Sequence, residues 1–173
     1  MMRKTSTPAA LAAALFLVVC SLSGGRAAAQ PAGSGLLTGK GLVAVRGCGR
    51  EQLSPSLPVR VRSDGTWSAL PDIGGELSGP WTALDRRKRR LELDFDAPSF
   101  DAFRQMQARD MAGLCGAMAV LDVTTAKRQA LLVIARRDTR ATLRLRFVTT
   151  GTVNGRRRTA RLKIRLAGRW VAD

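Results

Sequence analysis

Asn154 and Gly155 constrain this chain more than any other pair of neighbours. Both residue types tolerate positive φ, which the tightest β-hairpin turn demands, and apolar and polar residues alternate on either side of them. With these two as the turn, Phe147 faces Leu162, Leu145 faces Ile164 and Leu143 faces Leu166. The other side of the ribbon then carries Arg146 against Lys163 and Arg144 against Arg165, with Arg161 continuing the row. A shift by one residue would scatter the apolar set over both faces, so turn chemistry and hydrophobic pattern select the same register.

Alternation elsewhere extends this into a mainly β protein. Strands are expected near Gly41–Arg46, Pro58–Arg62, Thr66–Leu70, Glu76–Leu84 and Arg90–Asp96, then near Met118–Thr124, Ala130–Ala135, Ala141–Thr149 and Ala160–Val171. Asp64-Gly65 is a second hairpin turn. A strict two-residue loop there would pair Val61 with Ser68, whereas a three-residue loop with a glycine bulge pairs Val61 with Trp67 and Val59 with Ala69, which buries the apolar residues better and is the expected register. A third turn at Arg86-Arg87-Lys88 sets Trp81 against Leu93 and Ala83 against Leu91. One helix is expected over residues 99–114. Ser99 stands at its start as a cap, and Phe100, Phe103, Met106, Met111 and Leu114 recur at near-helical spacing as its core face. Tight turns favour pairing between neighbours in sequence. The expected fold is an antiparallel meander of about eight or nine strands closed into a small barrel, with a two-sheet sandwich as the alternative.

The N-terminus reads as an address. Arg3 and Lys4 are followed by an apolar stretch, Ala9–Val19, and then by Ala27-Ala28-Ala29, the order of a secretory signal peptide cleaved after Ala29. Cys20 would be the lipid-bearing residue of a lipoprotein signal, but Val19 stands where such signals carry a small residue. Residues 30–36 are a Pro/Gly/Ser leader, and 37–173 form a single domain. Export to the periplasm or the extracellular space is therefore expected. No further apolar stretch long enough to cross a bilayer as a helix follows the address. Of the three cysteines, Cys48 and Cys115 remain after cleavage, and in an oxidising compartment they are expected to form a disulfide. Such a bridge, closing a long loop, is worth about 4 kcal/mol.

Charge and missing residue types bear on function. The chain has 173 residues, a net charge of +16, no His and no Tyr. Cleavage would remove Arg3, Lys4 and Arg26, leaving 26 Lys and Arg against 13 Asp and Glu. The lack of His removes imidazole catalysis and His-ligated zinc. No metal or cofactor site is expected, and a non-enzymatic role is the natural reading. The ladder of Arg144, Arg146, Arg161, Lys163 and Arg165 is an anion-binding candidate, because like charges opposed across strands destabilise a sheet unless something offsets them. The offset is either an anionic surface or polyanion, or an internal partner, for which Glu92, Asp94 and Asp96 on one strand face are available. A third account is compositional: Arg fills exposed positions, as in proteins from GC-rich genomes. Glu92, Asp94 and Asp96 read as salt-bridge partners rather than as glycosidase carboxylates or calcium ligands. Aromatic residues do not interleave with the basic run Arg86–Arg90, so nucleic-acid binding by base stacking is not expected.

Gly33 to Gly41 has the glycine content of a phosphate-binding loop but the wrong spacing. Gly65-Thr66-Trp67 is similar to the Gly-x-Trp motif near the first strand of the lipocalins, secreted barrels that carry small hydrophobic ligands. In that family an arginine late in the chain packs on the Trp, a part that Arg169 would take here. The motif follows two earlier strands in this chain, so the resemblance is one of architecture. It implies a small apolar ligand in a cavity lined by Leu143, Leu145 and Leu162. A Trp that anchors a hairpin is the alternative reading.

Overall fold

The computed structural model describes residues 31–173 except 72–74, 88, 136 and 138. The expected signal peptide and Cys20 lie outside the described residues. The elements in chain order are β1 (Gly33–Val45), β2 (Gly49–Leu53), β3 (Ser56–Val61), β4 (Thr66–Ala69), β5 (Leu77–Ala83), β6 (Arg90–Leu93), α1 (Ala97–Cys115), β7 (Leu121–Ile134), β8 (Arg140–Val153), β9 (Arg156–Arg169) and β10 (Val171–Ala172). Every strand pairing is antiparallel, and β1 pairs with both β3 and β9, so eight strands close into a barrel. The sandwich alternative is thereby set aside.

The three hairpins have the registers that turn chemistry predicts. Asn154 and Gly155 take φ of 50° and 71°, and the ladder pairs Phe147 with Leu162, Arg146 with Lys163 and Arg144 with Arg165. Val61 pairs with Trp67 beyond Gly65, and Trp81 pairs with Leu93. At the third turn the Asp85 carboxylate accepts from the backbone N–H groups of Arg89 and Arg90 at 2.8 and 3.0 Å, tying the basic loop back on itself.

The first strand departs from expectation. It begins at Gly33 rather than near Gly41, so residues 33–36 of the expected leader lie in the sheet. Glycine hides this strand from a hydrophobicity pattern: the inward positions include Gly33, Gly35, Gly39 and Gly41, where apolar side chains would normally advertise a buried face. Their role is close approach. A Cβ on Gly39 would run into the Arg165 carbonyl oxygen, and one on Gly168 into that of Leu36. Strands β1 and β9 can meet at this distance because those side chains are missing. Trp170, 2 % exposed, covers Gly33 and Gly35.

β2 and β3 behave as one interrupted strand against β1. Gly41 pairs with Leu53 and Thr38 with Ser56 in a continuous register, and the break falls at Ser54-Pro55, where proline has no N–H to donate. β2 has no alternation to announce it, since four of its five residues are exposed. The two strands expected at Met118–Thr124 and Ala130–Ala135 are a single strand, β7, whose register slips between Leu121 and Thr124 and again between Thr125 and Lys127. These irregularities break the alternation and mimic a gap.

The helix starts before Ser99. Asp96 is the N-cap, accepting from the Ser99 N–H at 2.8 Å, and Gly116 with φ 61° is the C-cap. Ser99 is instead a buried side chain that accepts from the Ser78 N–H at 2.9 Å. The face the helix buries is Ser99, Phe103, Gln107 and Met111, one residue every four. Phe103 enters the barrel's aromatic core. Its ring lies 4.1 Å from that of Phe147, and Phe95 sits 5.2 Å from Trp67, 5.8 Å from Phe103 and 5.7 Å from Phe147. The Cys48–Cys115 disulfide joins the end of the helix to the turn after β1, across 67 residues.

Two stability measurements follow. Gly39→Val forces the β1–β9 seam apart and lowers the unfolding free energy by about 1–3 kcal/mol in urea titration; an unchanged midpoint contradicts the role of close approach. Asp96→Ala costs about 1 kcal/mol at neutral pH. The hydroxyls of Ser78 and Ser99 and the Ser99 N–H hold the Asp96 carboxyl below its ordinary value. Its stabilisation is therefore present above the ordinary Asp range and lost as pH falls through the lowered folded value, where wild type and variant converge.

Candidate functional site

Alternation on three neighbouring strands builds the basic face. β9 lies between β8 and β1, and side chains that point outward on all three fall into rows across the strands. Arg165 pairs with Arg144 on one side and Lys40 on the other. Lys163 pairs with Arg146 and with Leu42. Arg161 lies between Val148 and Ala44, and Arg169 pairs with Arg140. Adjacent strands are about 4.8 Å apart, so each row is a line of side chains at that spacing. All five ladder residues are exposed, as is Lys40. Lys40, Arg144, Arg146, Lys163 and Arg165 line an open groove of about 590 Å³, with Leu42, Gln52 and Ser54 on its β1–β2 side. Lys40 lies just before the strand that alternation predicts from Gly41, so the pattern gives no sign of its place in the row. The signal that could have found it is the closure of β1 on β9.

The acidic row does not neutralise this face. Asp94 pairs with Arg128 at 3.2 Å, and Arg128 also lies 5.1 Å over the ring of Phe100. Asp96 caps the helix and accepts from Ser78 Oγ at 2.6 Å. Glu92 is opposite Leu131, which is opposite Arg144, so a whole strand separates the carboxylate from the ladder. Other acids also serve locally. Asp64 accepts from the N–H and hydroxyl of Thr66 at 2.9 and 2.6 Å, which holds its carboxyl below the ordinary value. Asp101 pairs with Arg104 on the helix at 3.0 Å. Burial and the nearby Glu51 carboxylate push Asp110 up. Among the described residues, no carboxylate lies within ion-pair distance of Lys40 or of the five ladder cations.

The barrel interior is a packed core. Leu143, Leu145 and Leu162, the expected cavity lining, belong to one buried cluster with Trp67, Phe95, Phe103 and Phe147. Trp67 is 2 % exposed and donates from Nε1 to the Asp94 carbonyl at 2.6 Å, which suits an anchor of the hairpin. Among the described residues, the arginine over an aromatic ring is Arg128, on Phe100, rather than Arg169 on Trp67. Gln107 and Thr149 form a buried polar pair. The Thr149 hydroxyl donates to Gln107 Oε1 and lies 3.4 Å from the Thr125 hydroxyl, while Gln107 Nε2 has no partner. A polar Gln107 gives no hydrophobic signal of burial, although its spacing of four from Phe103 and Met111 places it on the buried stripe. Among the described residues, no group of three or more acidic or Cys side chains is arranged to hold a metal, and no helix is long and apolar enough to cross a membrane.

Comparison with protein-family models, curated proteins and solved structures brings no match.

Two measurements test this arrangement. Arg165→Glu replaces a cation that stands between two cations, and it raises the unfolding free energy by up to about 1 kcal/mol; a loss of stability would mean that the face is compensated within the fold. Thr149→Val alone leaves Gln107 with a second unpaired polar atom and costs about 1–3 kcal/mol. Thr149→Val with Gln107→Leu removes both buried polar groups and recovers most of that loss in the same urea titration.

Proposed function

We propose that this is an exported, non-enzymatic protein whose arginine-rich barrel face binds a surface of closely spaced anionic groups. The observation that carries the reading is the row Arg144, Arg165 and Lys40, flanked by Arg146 and Lys163, with no carboxylate in ion-pair reach among the described residues. Opposed like charges weaken the sheet, and an anionic partner turns that repulsion into attraction. Arginine suits the role because its planar guanidinium presents several donors to phosphate, sulfate or carboxylate oxygens. The Cys48–Cys115 bridge supports export, since such bridges persist in oxidising compartments.

The non-enzymatic part rests on chemistry. The chain has no His or Tyr, and Asp94 and Asp96 are engaged in an ion pair and a helix cap. The reading of a small apolar ligand inside the barrel has less support, because aromatic and leucine side chains occupy the interior.

Heparin affinity at graded salt tests the reading. Wild type is expected to bind at low ionic strength and to release steeply as salt rises. Arg144→Glu with Arg165→Glu is expected to weaken binding by about tenfold or more. Equal affinity of variant and wild type would contradict it.

A further inference from the structure

The outer face of β1 carries more than Lys40. Leu36, four residues earlier and about 13 Å along the same strand face, is 57 % exposed. It pairs with Pro58 on β3, whose carbonyl accepts from the N–H of Leu70 at 3.2 Å. Leu70 is 58 % exposed. Val171, 56 % exposed, pairs with Ser34, two residues from Leu36. Three of the six most exposed large hydrophobics among the described residues therefore meet in one place. They line a shallow depression of about 490 Å³ whose rim carries Arg60 and Arg169 as well as Glu76. Single exposed leucines are ordinary, but a contiguous patch with a charged rim marks an interaction surface.

The charge around the patch selects its partner. A soluble polyanion offers nothing to Leu36 and Leu70. A bilayer with anionic headgroups offers both halves of what this face presents: phosphate oxygens for the arginines, and the acyl boundary just beneath for the apolar side chains. We propose that Leu36, Leu70 and Val171 form the inserting edge of the basic face, and that the anionic surface it binds is a phospholipid bilayer. This rests on the reading of the basic face given above and names its partner.

Sedimentation with vesicles separates the two ideas. The probes are phosphatidylglycerol–phosphatidylcholine vesicles, pure phosphatidylcholine vesicles and heparin. Wild type is expected to sediment with the anionic vesicles and not with the neutral ones. Leu36→Ser with Leu70→Ser is expected to weaken vesicle binding by about tenfold or more while leaving heparin affinity unchanged. Both residues are exposed, and an unchanged urea midpoint shows that the fold is retained. Leu36→Trp gives a second readout, because its emission should shift to the blue with anionic vesicles and be quenched by brominated lipid. Heparin binding without vesicle binding, or vesicle binding that the Ser variants do not weaken, overturns the bilayer while the basic face stands. If Arg144→Glu with Arg165→Glu alters neither heparin nor vesicle binding, the basic face fails and the bilayer with it.

Discussion

The close contact between β1 and β9 is the constraint on which the rest of the structure depends. A meander of antiparallel strands has two free edges, and this one removes them by pairing its first strand with its last long one. The approach needs glycine where other strands carry side chains, at Gly39 against the Arg165 carbonyl and at Gly168 against the Leu36 carbonyl. With the sheet closed, inward side chains have a single interior to fill. Phe95, Phe103, Phe147 and Trp67 fill much of it, and the helix is held there by its Asp96 cap at one end and the Cys48–Cys115 bridge at the other.

The same closure assembles the cationic surface. β8 and β9 alone would carry two facing rows of cations on a hairpin. Bringing β1 alongside adds Lys40 to the row of Arg165 and Arg144. Several acids among the described residues serve other tasks: Asp64 and Asp85 organise turns, Asp96 caps the helix, and Asp94 and Asp101 pair with Arg128 and Arg104. Repulsion on the outer face is carried by the packing beneath it, where the inward neighbours Leu143, Leu145, Phe147, Ala160, Leu162 and Leu166 are buried and Ile164 is partly so. The fold thus supplies the stability and the face retains its charge.

Much of this was legible where local chemistry is strong. The hairpin at Asn154-Gly155, with both its arginine and its leucine rows, follows from two turn residues and a period of two. The glycine bulge at Gly65 and the pairing of Trp81 with Leu93 follow in the same way. Illegible parts share one physical cause, the lack of an apolar marker. The early half of β1 buries glycines, β2 is almost wholly exposed, and slips in register break the alternation of β7. Alternation carries β6 on to Asp96 and makes that residue an acidic partner for arginine, but the strand ends at Leu93, which frees Asp96 to cap the helix. The ladder is legible as a set of residues, but its exposure to solvent without carboxylate partners among the described residues depends on which strands become neighbours.

Among the described residues no carboxylate compensates this cationic face, and the dependence of stability on ionic strength measures the resulting repulsion most directly. Urea unfolding at neutral pH, compared between low and moderate concentrations of sodium chloride, separates attraction from repulsion because salt screens both. The account predicts that the unfolding free energy rises with salt, as repulsion among Arg144, Arg146, Arg161, Lys163, Arg165 and Lys40 is damped. A free energy that falls with salt would mean that ion pairs hold the face together, and would contradict it.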